Sequence, residues 1–175
     1  MTCIVGLIDN GVVYIGGDSA GVAGLSISIR ADEKVFHNGP FIMGFTTSFR
    51  MGQILRYKFD PPQQTVSQDD MTYMVTDFID AVRRTFANNG FGDKDATVGG
   101  TFLVGYKGKL YTIESDFQVG IPTIGFDAVG CGADLALGAM FANTKLKPTE
   151  RIKQALLAAT TFSAGVAGPY LVIKK

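Results

Sequence analysis

The residue with the most chemistry open to it is Thr2. Initiator methionine is trimmed when the next side chain is small, and trimming here leaves one residue carrying both a hydroxyl and a free α-amine. Such an amine has an unperturbed pKa of about 7.7–8.0, close to working pH, where a general base is most effective. A threonine hydroxyl activated by its own N-terminal amine is a recognised nucleophile–base pair. While Met1 is attached the amine is acylated and the base is lost. Only Met1 precedes Thr2, so no self-cleaved propeptide is expected. Cys3 could be the N-terminal nucleophile only if Thr2 were removed as well.

Other catalytic chemistries lack their residues. His37 is the only histidine, and its place beside Asn38-Gly39-Pro40 predicts a solvated turn. A hydrolase built on this chain therefore takes its base from elsewhere. No H-x-x-x-H or C-x-x-C spacing offers a zinc site, and no metal or cofactor is expected. Cys3 and Cys131 are too far apart in sequence to form a disulfide framework, and they suit a reducing cytoplasm. A net charge of +0 without a Lys/Arg cluster argues against nucleic acid or an anionic membrane as partner. Neither a secretion signal nor a long charge-free apolar run is present. No nucleotide-binding loop is present, so any ATP dependence would come from a partner.

The elements that must position Thr2 follow from pattern. Residues 4–8 and 12–17 are β-rich runs joined through Asn10-Gly11, the preferred dipeptide of a tight hairpin. The first strand is apolar on both faces, Ile4 and Ile8 on one and Cys3, Val5 and Leu7 on the other, so it belongs inside a layered core. Residues 19–24 are small and turn-prone. Residues 25–30 alternate as a half-buried strand does. A short strand at 33–37 and an apolar one at 41–46 follow, and Ser48 caps a helix with Met51, Ile54 and Leu55 inward. Asp69-Asp70 opens a longer helix whose core stripe is Met71, Met74, Val75, Phe78, Ile79, Val82 and Phe86. It stops at Asn88-Asn89-Gly90, and a polar loop runs to about Thr97. Strands are expected at 100–106, 110–113 and 128–129. Gly130-Cys131-Gly132 leads into a helix over 133–143, Pro148 starts another, and residues 170–173 close the chain. Helices paired between runs of strands do not build a βαβ sheet. They suit two central sheets with a helix layer outside each, in one domain over residues 1–175.

Thr2-Cys3-Ile4-Val5-Gly6 through Ile15-Gly16-Gly17-Asp18, Lys34, Gly44-Phe45-Thr46-Thr47-Ser48 and Ala128-Val129-Gly130-Cys131-Gly132 together resemble the proteasome β-subunit family, most closely its HslV-type bacterial proteasome-like threonine peptidases. The resemblance runs in order over nearly the whole chain. It implies an α+β fold, the four-layer αββα sandwich of the Ntn-hydrolase type. It implies Thr2 as nucleophile and Lys34 as the cation near the α-amine, disfavouring its ammonium form. Asp18 would hold Lys34 charged and oriented. The backbone N–H that receives the oxyanion falls at Thr47, where the family has glycine. Cys131 stands where the family usually has serine, and a thiol is a weaker hydrogen-bond partner. Of the Asp and Ser that often support the threonine near the C-terminus, only Ser163 has a counterpart.

The resemblance further implies a cytoplasmic homo-oligomer, stacked rings of six or seven subunits around peptide or unfolded protein, fed by an ATP-dependent unfoldase. Phe36, Phe45 and Phe49 either line an apolar substrate pocket or pack in the core. The rival functions are a catalytically silent ring subunit and a small-molecule amidase on the same fold.

Overall fold

The computed structural model describes residues 1–92 and 99–175. In chain order these are β1 (Ile4–Asp9), β2 (Val12–Gly17), β3 (Ala20–Ala23), β4 (Ser26–Ile29), β5 (Val35–Asn38), β6 (Phe41–Phe45), α1 (Phe49–Tyr57), α2 (Asp70–Tyr73) and α3 (Ile79–Asn88). There follow β7 (Phe102–Tyr106), β8 (Lys109–Ile113), β9 (Val119–Gly120), β10 (Phe126–Val129), α4 (Ala133–Ala142), α5 (Pro148–Phe162) and β11 (Leu171–Lys174). The part of the expected polar loop at 93–97 lies outside the described residues.

The opening hairpin forms as its turn chemistry requires: Asn10 and Gly11 take φ of 49° and 77°, and Ile8 pairs with Val13. β10 adds to the free side of β1 and β11 to that of β2, giving a four-stranded antiparallel sheet. The second sheet runs β5-β6-β7-β8-β9. The two sheets pack face to face through Ile4, Ile15, Val35, Ile42, Leu103 and Leu110. On its other face β1 sends Cys3, Val5 and Leu7 against Met140, Ile152 and Leu156 of α4 and α5. The second sheet is covered by α1 to α3 through Phe41, Ile54, Tyr73 and Phe78. The result is the four-layer αββα sandwich, and both faces of β1 are buried as its sequence predicts.

Four expectations need correction. The alternating stretch 25–30 is not half-buried. Residues 20–23, read as a turn, form β3, and β3 pairs only with β4 in a two-stranded ribbon. Among the described residues no layer covers the ribbon's apolar side, and Leu25, Ile27 and Ile29 are exposed. The helical stripe is also out of phase at its start: Met71 and Val75 are exposed and Tyr73 is buried. Residues Met74–Phe78 form a π turn between α2 and α3. Its i→i+5 spacing advances less per residue than an α-helix, so the residues before it rotate by roughly a quarter turn and Tyr73 replaces Met71 at the core. Finally, β10 begins at Phe126 and is preceded by β9, two residues too short to leave a sequence pattern.

Phe78 lies 5.1 Å from Phe41 and 5.3 Å from Phe59 between ring centroids. Phe78→Ala is expected to destabilise the fold by about 3–5 kcal/mol in denaturant titration. Val75→Ala, on the face the π turn rotates outward, should stay within about 0.5 kcal/mol.

Candidate active site

The site begins with two glycines that let layers approach. A Cβ on Gly17 would sit 2.8 Å from Ile4 Cδ1 and 3.1 Å from Val35 Cγ1, while one on Gly16 would collide with Ile152 of α5. Strand β2 can therefore lie close to its neighbours on both faces, and it delivers Asp18 beneath the chain start. The ladder continues past the strand end, Asp18 N donating to the Cys3 carbonyl at 3.3 Å. The Asp18 carboxylate accepts from Cys3 N at 3.0 Å, Ala20 N at 3.0 Å and Ala167 N at 3.3 Å. Its fourth donor is Lys34 Nζ at 2.7 Å, in an ion pair whose side chains are 1% and 0% exposed. Burial lowers the Lys34 pKa below that of an ordinary lysine, and Asp18 opposes the shift.

Thr2 is 5% exposed. Gly130, at φ 101°, turns the chain sharply before α4, and an added Cβ there would strike the Thr2 carbonyl oxygen. Gly132 N donates to that oxygen at 3.3 Å. The intervening residue carries the contact to Thr2 nitrogen: in the Met1-bearing chain the Thr2 N–H donates to Cys131 Sγ at 3.3 Å. Cys131 Sγ lies 3.5 Å from Ser163 Oγ, at the end of α5. The Thr2 hydroxyl donates to the Met1 carbonyl. Cys3 points into the core instead, and burial, with Asp18 as the second cause, pushes its thiol up to about 12. That placement removes Cys3 from consideration as a nucleophile. His37 is exposed near the end of β5, beside the turn at Gly39.

Thr47 sits at φ 64°, a left-handed conformation that a β-branched residue rarely adopts and that costs about 1–3 kcal/mol. The surroundings hold it there. Its Oγ1 accepts from Thr101 N at 3.2 Å and lies 3.2 Å from Thr46 Oγ1, and Ser48 N closes the turn on the Thr46 carbonyl at 2.7 Å. Ser48 then caps α1 by accepting from Arg50 N at 3.1 Å.

A pocket of about 220 Å³ opens between this turn and the β3–β4 ribbon, with Thr2 and Met1 on its wall. Phe45 and Phe49 line it. Phe36 does not: of its two expected alternatives it takes the core, between the second sheet and its helices. The structure thus brings Thr2, Asp18, Lys34, Cys131 and Ser163 together, and sets Thr47 beside Thr2 on the pocket. Sequence reasoning missed Ala167, which acts through its backbone N–H and leaves no side-chain signal. It also missed Arg30, whose charge on the polar side of an alternating stretch marks only a solvated face. Among the described residues no cluster of His, Cys, Asp or Glu could hold a metal ion, and no helix is long and apolar enough to cross a membrane.

Comparison with solved structures finds the same architecture elsewhere. The chain is similar to Thiobacillus denitrificans BPH at 19% identity and a TM-score of 0.80, covering 99% of this chain and 97% of that one. BPH in complex with epoxomicin matches at 17% identity and 0.80, covering 99% and 98%. Eukaryotic HslV from Trypanosoma brucei matches at 17% identity and 0.71, covering 99% and 98%. No protein-family model and no curated protein matches the sequence. The likeness is one of fold: this chain has the αββα sandwich of HslV-type proteins, as the sequence resemblance implies.

Two outcomes follow from the burial. Asp18→Ala leaves the Lys34 ammonium buried without its counter-ion, a change that costs about 3–5 kcal/mol and should appear as a lowered denaturation midpoint. Thiol titration of the folded protein with iodoacetamide should modify the exposed Cys131 and spare Cys3, whose thiol reacts only after denaturation.

Proposed function

We propose that this chain is a threonine-type peptidase of the Ntn-hydrolase kind, residues 1–175 acting as one domain. The observation that carries the reading is the convergence of residues from separate elements on a nearly buried Thr2 at the wall of a pocket. Removal of Met1 frees the α-amine, which takes the proton of the Thr2 hydroxyl as Oγ1 attacks a substrate amide carbonyl. Lys34, held by Asp18, supplies the positive charge that favours the neutral amine. The Thr47 backbone N–H receives the oxyanion, a contribution of about 2.7–4 kcal/mol for one preorganised donor. Collapse of the tetrahedral intermediate expels the substrate amine, which takes up the proton, and leaves an ester on Thr2. Water then hydrolyses the ester and regenerates the hydroxyl. Cys131, between Thr2 nitrogen and Ser163, orients the amine.

The working form we propose is a stacked cytoplasmic ring of six or seven copies, acting on peptide or unfolded protein delivered by an ATP-dependent unfoldase. The uncovered apolar side of β4 supports assembly, since its alternation suits burial that one copy does not supply. A second reading, a catalytically silent ring subunit, is favoured by the strain at Thr47.

The intact mass of the purified protein should be short by one methionine residue. The processed protein should hydrolyse N-blocked fluorogenic peptides and be inhibited by epoxomicin, the compound bound by the Thiobacillus neighbour. Thr2→Ala should abolish hydrolysis while leaving the circular dichroism spectrum unchanged. Hydrolysis that survives Thr2→Ala sinks the reading. Correct processing with neither hydrolysis nor inhibition establishes the silent subunit.

A further inference from the structure

Among the described residues, Arg30 brings the charged side chain to the wall of the Thr2 pocket, and it is held in place from three sides. Its guanidinium lies 3.8 Å from the centroid of the Phe49 ring, in cation–π range. Its Nε and Nη2 donate to the two carboxylate oxygens of Asp32 at 2.7 and 2.6 Å, a two-point contact that fixes the plane of the group. Its stem packs where a side chain on Gly21 would otherwise stand, a Cβ there coming within 2.8 Å of Arg30 Cδ. Main-chain pairing of Arg30 N with the Ser19 carbonyl at 2.9 Å fixes its base. Asp32 occupies one edge of the guanidinium. Among the described residues, the Nη1 edge has no protein acceptor.

Among the described residues, the other side chains of the wall are uncharged. They combine the apolar Val22, Ala23, Phe45 and Phe49 with the hydroxyls of Ser28 and Thr46. The volume of about 220 Å³ suits one side chain rather than a drug-sized ligand, whose sites run to about 300–1,000 Å³. A carboxylate entering this space meets a fixed cation with a free donor edge and, among the described residues, no acidic side chain on the pocket wall. A lysine or arginine side chain meets that same cation as a like charge.

We infer that Arg30 is a specificity-determining residue that makes the pocket select an acidic side chain, aspartate or glutamate, next to the scissile bond. The inference rests on the peptidase reading and names the substrate class of that site. It assigns no bond-making role to Arg30. The acidic side chain accepts from the Nη1 edge, and the Phe49 ring and Asp32 keep the guanidinium from following the ligand or turning away.

The test uses the processed protein and four N-acetylated fluorogenic tetrapeptide amides that differ only in the residue before the reporter: Glu, Gln, Leu or Lys. The reporter amide caps the C-terminus, so the side chain supplies the carboxylate at the varied position. The Glu peptide should exceed its neutral isostere Gln by about tenfold in kcat/KM, with Lys the poorest. This preference should shrink between 50 and 500 mM NaCl, because the pair is partly exposed. Arg30→Met should bring the Glu-to-Gln ratio to about one, and Arg30→Lys should keep part of it. In parallel, fluorescence anisotropy on Thr2→Ala should show labelled Glu peptide binding about tenfold tighter than Gln peptide, a difference lost in the double variant with Arg30→Met. Hydrolysis with no Glu-to-Gln difference, or a difference that survives Arg30→Met, overturns the assignment and leaves the peptidase reading intact. Absence of hydrolysis together with Arg30-dependent binding of the Glu peptide supports Arg30 as the carboxylate-selecting residue and overturns the peptidase reading. Absence of both overturns the two together.

Discussion

One carboxylate holds the site together. Asp18 accepts from Cys3 N, Ala20 N, Ala167 N and Lys34 Nζ, and each donor belongs to a different part of the surroundings of Thr2. Cys3 fixes the peptide next to Thr2. Ala20 begins the strand that walls the pocket, Ala167 follows the segment carrying Ser163, and Lys34 leads into the second sheet. An ion pair buried this deeply is a poor source of net stability, because desolvation offsets most of the attraction. Its value lies in position: with every acceptor lone pair used, the carboxylate has one arrangement, and so do the segments tied to it. The lowered pKa of Lys34 fits the same picture, since burial strains the charged form while Asp18 keeps it tethered.

Thr47 shows the opposite way of fixing a residue. Asp18 is held by satisfied hydrogen bonds, whereas Thr47 is held against its own backbone preference. Glycine would adopt φ 64° freely, but glycine has no hydroxyl to accept from Thr101 N. This chain therefore exchanges a relaxed turn for one clamped to the end of β7. These side-chain contacts hold the Thr47 backbone in one conformation, a fixed geometry of the kind the proposed oxyanion donor would need. The same exchange occurs at Cys131, where a weakly hydrogen-bonding sulfur spans the gap between Thr2 nitrogen and Ser163 at 3.3 and 3.5 Å. Sulfur's longer contact distances fill that space, at the expense of a strong hydrogen bond to Thr2 nitrogen.

What the sequence made legible was governed by neighbours along the chain. Asn10-Gly11 dictates a hairpin turn, Ser48 and Asp69 cap helices, and Ile4 against Val5 gives a strand buried on both faces. These signals survive because the partner groups lie within a few residues. The phase of the long helix did not survive, because a π turn carries no residue signature and one wide turn redirects everything before it. Phe36 and Phe45 look equivalent in sequence on adjacent strands and share one core, and only the stacking of the layers lets Phe45 also line the pocket. Thr2, Asp18 and Lys34 could be grouped through resemblance, whereas Ala167 contributes only a main-chain N–H. Arg30 needed Phe49 and Asp32 in place before its charge had a direction.

The exposed ribbon ties these observations to assembly. Along β4, Ile27 and Ile29 alternate with Ser26 and Ser28, a period that places one face toward an apolar layer. The described residues provide no such layer, and the turn residue Leu25 adds to the uncovered surface. The ribbon is also the wall that carries Gly21, Ser28 and Arg30. Two strands paired only with each other are marginally stable in water, so a wall built from them gains rigidity from whatever covers its far side. In the proposed ring that cover is a neighbouring copy. Burial of Leu25, Ile27 and Ile29 would then stiffen the strand that positions Arg30. Pocket selectivity and subunit contact would rest on opposite faces of the same four residues of β4 and the arginine that follows them.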